Sequence, residues 1–224
     1  MPSPSKPGAT AVKTALEGIK HMLFTNALSP GQKISYRQLA EELGLSLTPV
    51  IQALKHLEFQ GIVRHEPHKG YSTEPMSIPE VQEIYDTREL LETALLPHVI
   101  RNLDQEGIHT LKTLVEQIPP AADAVNERLL RDREFHLTLA GLSGKKVQVQ
   151  LLHQLFDLLY LKYRGSLLFI QSEDPVGSQH RDIFQALLSR DEDLARTAMT
   201  THFTKIRSQA LQALGKLMAG EMPS

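Results

Sequence analysis

A change of hydrophobic periodicity near residue 75 is the feature that most constrains how this chain folds. Before it, apolar residues repeat at helical spacing in three short segments, and two extended runs around a Pro- and Gly-containing turn follow them. After it, all the periodic segments have helical spacing. The sequence therefore predicts a disordered tail over 1–8, a small domain with helices and strands over 9–75, and an all-helical domain over 76–218.

The small domain has the pattern of a winged helix-turn-helix. Ser35 begins its second helix with an S-x-x-Q capping box, and Gly44 ends that helix. Ser46 is the expected cap of the third helix, whose apolar positions recur at three and four. Beyond that helix, the runs 62–65 and 71–73 flank a turn, which is typical of a β hairpin. Two helices, a short turn and a hairpin predict a winged helix; a three-helix bundle with a loose hairpin is the alternative.

The second domain is predicted to contain six helices that pack as an antiparallel bundle. Their boundaries coincide with glycines, prolines and the Arg190-Asp191 pair. The segments are 78–104, 107–117, 121–142, 145–170, 175–189 and 191–217. The predicted fold class is thus mainly α, with an N-terminal winged helix-turn-helix followed by about six helices.

Composition and charge exclude several classes of protein. No apolar run approaches the roughly 20 residues of a membrane helix, so no membrane partner is expected. The chain has no cysteine, which excludes disulfides and thiolate catalysis and fits a reducing cytoplasm. The net charge is −2, but residues 1–75 carry eight Lys and Arg against six Asp and Glu, whereas residues 76–224 carry sixteen against twenty. This asymmetry has the sign expected for a first domain that binds DNA.

Four side chains of ligating types have positions that could converge inside the helical domain. Asp132 and His136 are four residues apart, so both lie on one face of a helix. His180 and His202 lie on two later helices with apolar neighbours at helical spacing, which predicts that both face inward. Three imidazoles and one carboxylate suit a divalent ion of borderline softness, zinc or nickel. The alternatives are hydrogen-bonded core histidines and a surface pair of Asp132 with His136.

Several motifs of the chain are similar to segments of one known family. Leu28 to Ile34 is similar to an L-x-P-G-x-x-L segment, and residues 39–57 are similar to that family's helix-turn-helix. The D-x-x-F-H motif at 132–136 and the H-x-x-I-x-x-A-L motif at 180–187 match its second domain. With these motifs the chain resembles, over about residues 10–217, the GntR regulators of the FadR-type subgroup, whose C-terminal ligand-binding domain is called FCD.

The resemblance implies a homodimeric transcription regulator that binds double-stranded DNA. The implied metal ligands are Asp132, His136, His180 and His202. The candidate DNA contacts lie on the second helix, the third helix and the wing tip, and they are Arg37, Thr48, Gln52, Lys55, His56, His68, Lys69 and Gly70.

Two family arginines of the recognition helix are replaced here by Leu47 and Ile51. Each lost arginine removes a phosphate contact or a bidentate guanine contact, the latter worth roughly 1–3 kcal/mol of discrimination. We therefore expect an atypical sequence preference or a weakened affinity for DNA.

The resemblance also implies how a small organic acid is bound. Arg88 matches an arginine of the first FCD helix and is expected to clamp a carboxylate, with Arg164 as a second candidate. A surface ion pair is the alternative for both. The predicted function is a regulator whose bundle senses a carboxylate effector at a metal site. The alternatives are a metal-containing interaction module with weakened DNA binding, and a metal-dependent hydrolase. An enzyme is not predicted, because no general base stands at motif spacing.

Overall fold

The computed structural model describes residues 7–117, 125–162 and 176–220. These residues form two compact units. The first unit, called the head below, comprises residues 7–76 and 157–162. The second unit, the bundle, comprises residues 77–156 and 176–220.

The described part of the head contains three α-helices, a short π-helical segment described below and a three-stranded antiparallel sheet. In chain order they are α1 (Pro7–Phe24), β1 (Lys33–Ile34), α2 (Tyr36–Leu43), α3 (Leu47–Phe59), β2 (Val63–Glu66) and β3 (Gly70–Thr73). The strand order is β1-β3-β2, so the predicted hairpin gains a third strand in which Ile34 pairs with Tyr71. The winged helix-turn-helix is thereby confirmed. Helix α1 begins at Pro7, whose fixed φ suits a first helical turn, so residues 7 and 8 are helical rather than part of the predicted tail, and residues 1–6 lie outside the described residues.

Local sequence explains the two helices of the helix-turn-helix. The Gln38 N–H donates to Ser35 Oγ at 3.3 Å, which is the predicted cap of α2. Gly44 ends α2 at a φ of 63°, a left-handed conformation that glycine adopts without a steric cost. Ser46 occupies the cap position of α3 with an extended backbone, but its side chain makes no capping hydrogen bond. Pro49 lies in the first turn of α3, where its missing N–H has no intrahelical partner to lose.

The core of the head includes residues from a distant part of the sequence. Leu54 and Leu57 of α3 are fully buried in this core. Leu158 and Leu161, on a π-helical segment over Leu158–Lys162, pack against it. Residues 157–162 therefore belong to the head, although the sequence placed them within a bundle helix over 145–170. The cause is the packing of the buried Leu161 and the partly buried Leu158 in the apolar core of the head.

Six α-helices lie in the described part of the second domain, and each overlaps one predicted segment. They are α4 (Ile78–Asn102), α5 (Gln105–Glu116), α6 (Val125–Leu142), α7 (Lys146–Asp157), α8 (Val176–Leu188) and α9 (Glu192–Met218). Helix α4 packs against α6 and α9, and α8 packs against α5 and α9. This packing brings the inward faces of four helices together. None of the described helices is long and apolar enough to cross a membrane.

The start of α5 corrects one predicted boundary. Gly107 was expected to break the chain, but it lies in the first turn of α5, where Asp104 Oδ1 accepts a hydrogen bond from its N–H at 2.8 Å. A Cβ at residue 107 would lie 3.0 Å from Cδ2 of Leu142. The glycine is therefore explained by the close approach of α6 rather than by a turn.

Candidate metal centre and DNA interface

The bundle brings the four predicted metal-ligating side chains together. Asp132 and His136 lie one turn apart on α6, His180 lies on α8 and His202 on α9. His136 Nε2 is 3.1 Å from Nε2 of His202 and 3.2 Å from Nε2 of His180. Asp132 Oδ1 is 3.3 Å from His180 Nε2. One ligating atom from each residue lies within 4.8 Å of the other three. A single ion can therefore contact all four side chains.

Aromatic side chains exclude water from this cluster. The four candidate ligands are at most 1% exposed. The rings of Phe135 and His180 have centroids 4.5 Å apart, and Phe156 and Phe203 lie near the rings of His136 and His202. Burying four polar groups in such a place is unfavourable unless they are hydrogen-bonded, paired or bound to a metal ion. The surface interpretation of the Asp132–His136 pair is thus wrong, because both residues are fully buried.

The outer nitrogens of two histidines have acceptors that fix their tautomers. Glu92 Oε2 lies 2.5 Å from Nδ1 of His136, and Gln179 Oε1 lies 3.0 Å from Nδ1 of His202. Because these oxygens accept, each Nδ1 carries a proton, and each Nε2 is directed into the cluster, where it can offer a lone pair to a metal ion when the ring is neutral. Oxygen acceptors of this kind usually accompany metal-bound histidines. The donor set and its surroundings therefore fit a divalent ion such as zinc or nickel.

The electrostatics of the cluster separate His136 from the other two histidines. Burial lowers the pKa of His136, but the carboxylates of Glu92 and Asp132 outweigh it and raise that pKa to about 9. Burial lowers the pKa of His180, and burial with the nearby imidazoles holds the pKa of His202 well below its usual value. In the metal-free protein, His136 is therefore cationic and its Nε2–H can donate toward a neutral imidazole. A metal ion has to displace that proton.

Arg88 lies beside the cluster and is fully buried. Its Nε donates to Glu92 Oε1 at 3.1 Å, and its guanidinium carbon lies 3.9 Å from the ring centroid of Phe156. Burial raises the pKa of Glu92, but His136 and Arg88 hold it below its usual value, so this carboxylate is ionised. The interpretation of Arg88 as a surface ion pair is wrong, because its partner is as deeply buried as Arg88 itself. Arg164, the second effector candidate, lies outside the described residues.

Sequence reasoning missed Glu92 and Gln179, the two acceptors behind the histidines. Glu92 lies four residues after Arg88 on α4, and this spacing is a signal from which the pair could have been predicted. Gln179 precedes His180 in the sequence but contacts His202 on another helix. No local pattern reports such a contact.

The outer face of α3 carries the DNA-contacting residues that the sequence predicted for this helix. Thr48, Gln52, Lys55 and His56 are exposed, and they recur at helical spacing on the side opposite the buried residues of α3. Arg37, at the start of α2, is also exposed. Leu47 is 42% exposed, and Ile51 is partly exposed. Both replaced arginine positions therefore have access to solvent.

The wing tip lies between β2 and β3. His68 is exposed and has a left-handed φ of 66°, and Gly70 follows with a φ of 86°. Lys69 Nζ lies 2.7 Å from Glu66 Oε2, and a hydrogen bond and the charge from Lys69 lower the pKa of Glu66. The charge of Lys69 is thus partly balanced within the wing.

Comparison with known proteins agrees with this two-part organisation. The gntR family of bacterial regulatory proteins matches residues 11–72, and the FCD domain matches residues 83–205. An uncharacterized HTH-type transcriptional regulator in an unstable DNA locus of Streptomyces ambofaciens is 31% identical, with 84% of this chain and 80% of that protein covered. The HTH-type transcriptional repressor GlaR of Escherichia coli is 26% identical, with 84% and 92% covered.

Solved structures show the same fold. E. coli McbR/YncC superposes with a TM-score of 0.74 at 21% identity, with 90% of this chain and 97% of that chain covered. A GntR regulator from Rhodococcus gives a TM-score of 0.74 at 18% identity, with 91% and 98% covered.

A winged helix-turn-helix followed by a helical ligand-binding bundle defines a class of DNA-binding transcription regulators. This chain belongs to the GntR family, in the group with a C-terminal FCD domain. It is therefore a DNA-binding regulator with a C-terminal effector-binding domain. Regulators of this family bind DNA operators and typically dimerise, and FCD domains often bind metal.

Proposed function

We propose that the bundle holds a divalent metal ion through Asp132, His136, His180 and His202 and senses a small organic acid beside it. The observation that carries this proposal is the convergence of three Nε2 atoms and one carboxylate oxygen in a buried cluster. Zinc and nickel are the ions that this donor set favours. When bound, the ion supplies a positive charge that attracts an anionic effector.

Arg88 is the proposed counter-charge for the effector carboxylate. Its guanidinium lies in a water-poor site against the Phe156 ring, where a charge-assisted hydrogen bond is stronger than in water. The planar fork of an arginine matches a carboxylate bidentately. Arg164 stays a second candidate from the family resemblance.

The head is proposed to bind a pseudo-palindromic operator as one of two copies. Helix α3 enters the major groove and uses Thr48, Gln52, Lys55 and His56, while Arg37 contacts the backbone. His68, Lys69 and Gly70 of the wing enter the adjacent minor groove. An effector that binds one dimer geometry more tightly shifts the spacing of the two heads and so changes the affinity for DNA.

Two measurements test the proposal on the full-length protein. Native mass spectrometry identifies the bound metal and any co-purified small molecule, and we expect one metal ion per chain. Fluorescence anisotropy with genomic fragments, with the metal present, measures DNA affinity against salt concentration. A His180→Ala variant is expected to lose the metal and keep DNA binding by the head. Absence of stoichiometric metal would contradict the sensor, and absence of specific DNA binding at low salt would contradict the regulator.

The interaction-module alternative has one observation in its favour. Leu47 and Phe59 of α3 are 42% and 90% exposed, so apolar groups occupy part of the surface that should contact DNA. The same anisotropy measurement decides between the two, because an interaction module has no sequence-specific affinity for DNA.

We also propose that the chain is not a hydrolase. Glu92 contacts the cluster through Nδ1 of His136, and Arg88 and His136 hold both of its oxygens. It is therefore poorly placed to accept a proton from water as a general base. Turnover of esters, amides or phosphates by the metal-loaded protein would contradict this.

A further inference from the structure

Glu92 connects the two parts of the proposed sensor site. It is fully buried on α4, and its two carboxylate oxygens have different partners. Oε1 accepts from Arg88 Nε at 3.1 Å, and Oε2 lies 2.5 Å from Nδ1 of His136. We infer that Glu92 transmits the state of Arg88 to the metal ligand His136, so that metal affinity and effector affinity are coupled through this one side chain. The inference rests on the proposed function.

Because of the packing, Glu92 cannot change its hydrogen bond with Arg88 without also changing its hydrogen bond with His136. Arg88 and Glu92 are one helical turn apart on α4, and both are 0% exposed. The guanidinium carbon of Arg88 lies 3.9 Å from the ring centroid of Phe156 and 5.2 Å from that of Phe203. Arg88, Glu92 and His136 are all fully buried, so a change in one hydrogen bond of Glu92 is not compensated by solvent.

The direction of the coupling follows from charge. When the carboxylate of an effector binds Arg88, it neutralises part of the positive charge that otherwise stabilises the Glu92 carboxylate. Glu92 then forms a stronger hydrogen bond with the Nδ1–H of His136, which makes the Nε2 lone pair of His136 a better donor to a metal ion. An effector on Arg88 therefore raises metal affinity, and by linkage the metal raises effector affinity by the same factor.

A double-mutant cycle tests this with zinc alone and needs no effector. Zinc affinity is measured by competition with a chromogenic chelator for the wild type, Arg88→Met, Glu92→Gln and the double variant. We expect Glu92→Gln to weaken zinc binding about 10–100-fold, because an amide cannot accept from both partners. Arg88→Met releases Glu92 to His136 and is expected to strengthen zinc binding about 3–10-fold in the wild type, and at most about twofold in the Glu92→Gln protein.

An equal effect of Arg88→Met with and without Glu92 would overturn the inference, because the arginine would then act on the metal only through its electric field. Arg88→Lys separates the two effects further: it keeps the charge but loses the Nε hydrogen bond. If transmission through Glu92 is correct, Arg88→Lys strengthens zinc binding, whereas a pure field effect leaves the affinity unchanged.

Glu89→Gln is the matched control. Glu89 lies on the same helix and pairs with Arg207 at 2.9 Å near the surface of the bundle. The same loss of charge there is expected to change zinc affinity by less than about twofold. Far-ultraviolet circular dichroism establishes that each variant is folded. If Glu92→Gln does not fold, Glu92→Asp replaces it in the cycle, since the shorter side chain cannot reach both partners.

The two levels of the proposal fail differently. A wild-type protein that binds neither zinc nor nickel contradicts the proposed sensor. If the wild-type protein binds metal tightly but Arg88→Met changes zinc affinity equally with and without Glu92→Gln, only the coupling is contradicted.

Discussion

The head carries its proposed DNA-contacting side chains on its surface, whereas the bundle buries its proposed metal ligands at its centre. Thr48 and Gln52 project from α3 into solvent, but Asp132 and His202 are at most 1% exposed. A surface side chain can be replaced at little cost in folding, whereas a buried polar group that loses its partners destabilises the protein. A residue such as Leu47 is therefore tolerated on the surface of α3, whereas loss of any of the four proposed metal ligands would leave buried polar groups without partners.

Removal of a metal ligand tests the buried side of this comparison and has the largest expected effect. His202→Leu deletes one of four donors. We expect zinc affinity to fall more than about 100-fold, beyond the loss typical when a residue that only hydrogen-bonds a metal ligand is changed. Zinc should then no longer raise the melting temperature of the bundle. His109→Leu, an exposed histidine on α5, is the control and should bind zinc as the wild type does. Similar zinc affinity in both variants would contradict the proposed metal site.

The pH dependence of zinc binding is the next largest effect. In the folded metal-free protein the pKa of His136 is about 9, above the value of roughly 6.5 for an unfolded histidine, so its protonation stabilises the fold below about pH 6.5 and this contribution is lost as the pH rises through 9. The pKa values of His180 and His202 are lowered, so both rings are neutral between about pH 7 and pH 9, where His136 loses its proton.

Zinc must displace the single proton of His136. The apparent affinity should therefore rise about tenfold per pH unit from about pH 7 and level off near pH 9. Chelator-buffered zinc titrations measure this slope. A zinc affinity that does not change between about pH 7 and pH 9 would show that zinc does not displace a proton from His136.

The sequence could predict the individual helices and ligand types because both are local properties. The i, i+4 spacing places Asp132 and His136 on one face without knowledge of any other element. That His180 and His202 meet them is a property of packing between helices, and only the family resemblance implied it. The strand Lys33–Ile34 is too short to show a periodicity, and the leucines of the π-helical segment have the same pattern in either core. The position of the short strand and of the π-helical segment is therefore determined by tertiary packing, which the local sequence does not report.

Arginine at position 47 tests the exposed side of the comparison. Leu47→Arg restores the residue type that the family places there, at a position 42% exposed on α3. We expect DNA affinity to rise by roughly 1–3 kcal/mol for a guanine contact, or the salt slope to steepen by about one for a phosphate contact. Stability should change by less than about 0.5 kcal/mol. Leu188→Arg adds the same charge at 39% exposure in the bundle and should leave DNA binding unchanged. Equal gains in both variants would indicate non-specific attraction.

The wing tip gives the smallest expected effect, and it separates folding from binding within the head. His68 has a left-handed φ of 66°, which costs an L-residue roughly 1–2 kcal/mol. Glycine removes that cost but gives the unfolded chain more freedom, so His68→Gly should stabilise the head by at most about 1 kcal/mol. DNA affinity should fall at the same time, because the imidazole no longer enters the minor groove.

Asn26→Gly is the matched control for the wing, since Asn26 also has a left-handed φ, of 63°, and lies in the head outside the predicted DNA surface. Thermal unfolding should show a gain for both variants, smaller for Asn26 because asparagine tolerates this conformation better than most residues. Anisotropy should show weaker DNA binding for His68→Gly alone. If both variants bind DNA as the wild type does, His68 only shapes the turn. In that case the surface of the head tolerates change even at the wing, and the proposed DNA contacts rest on α3 and Arg37.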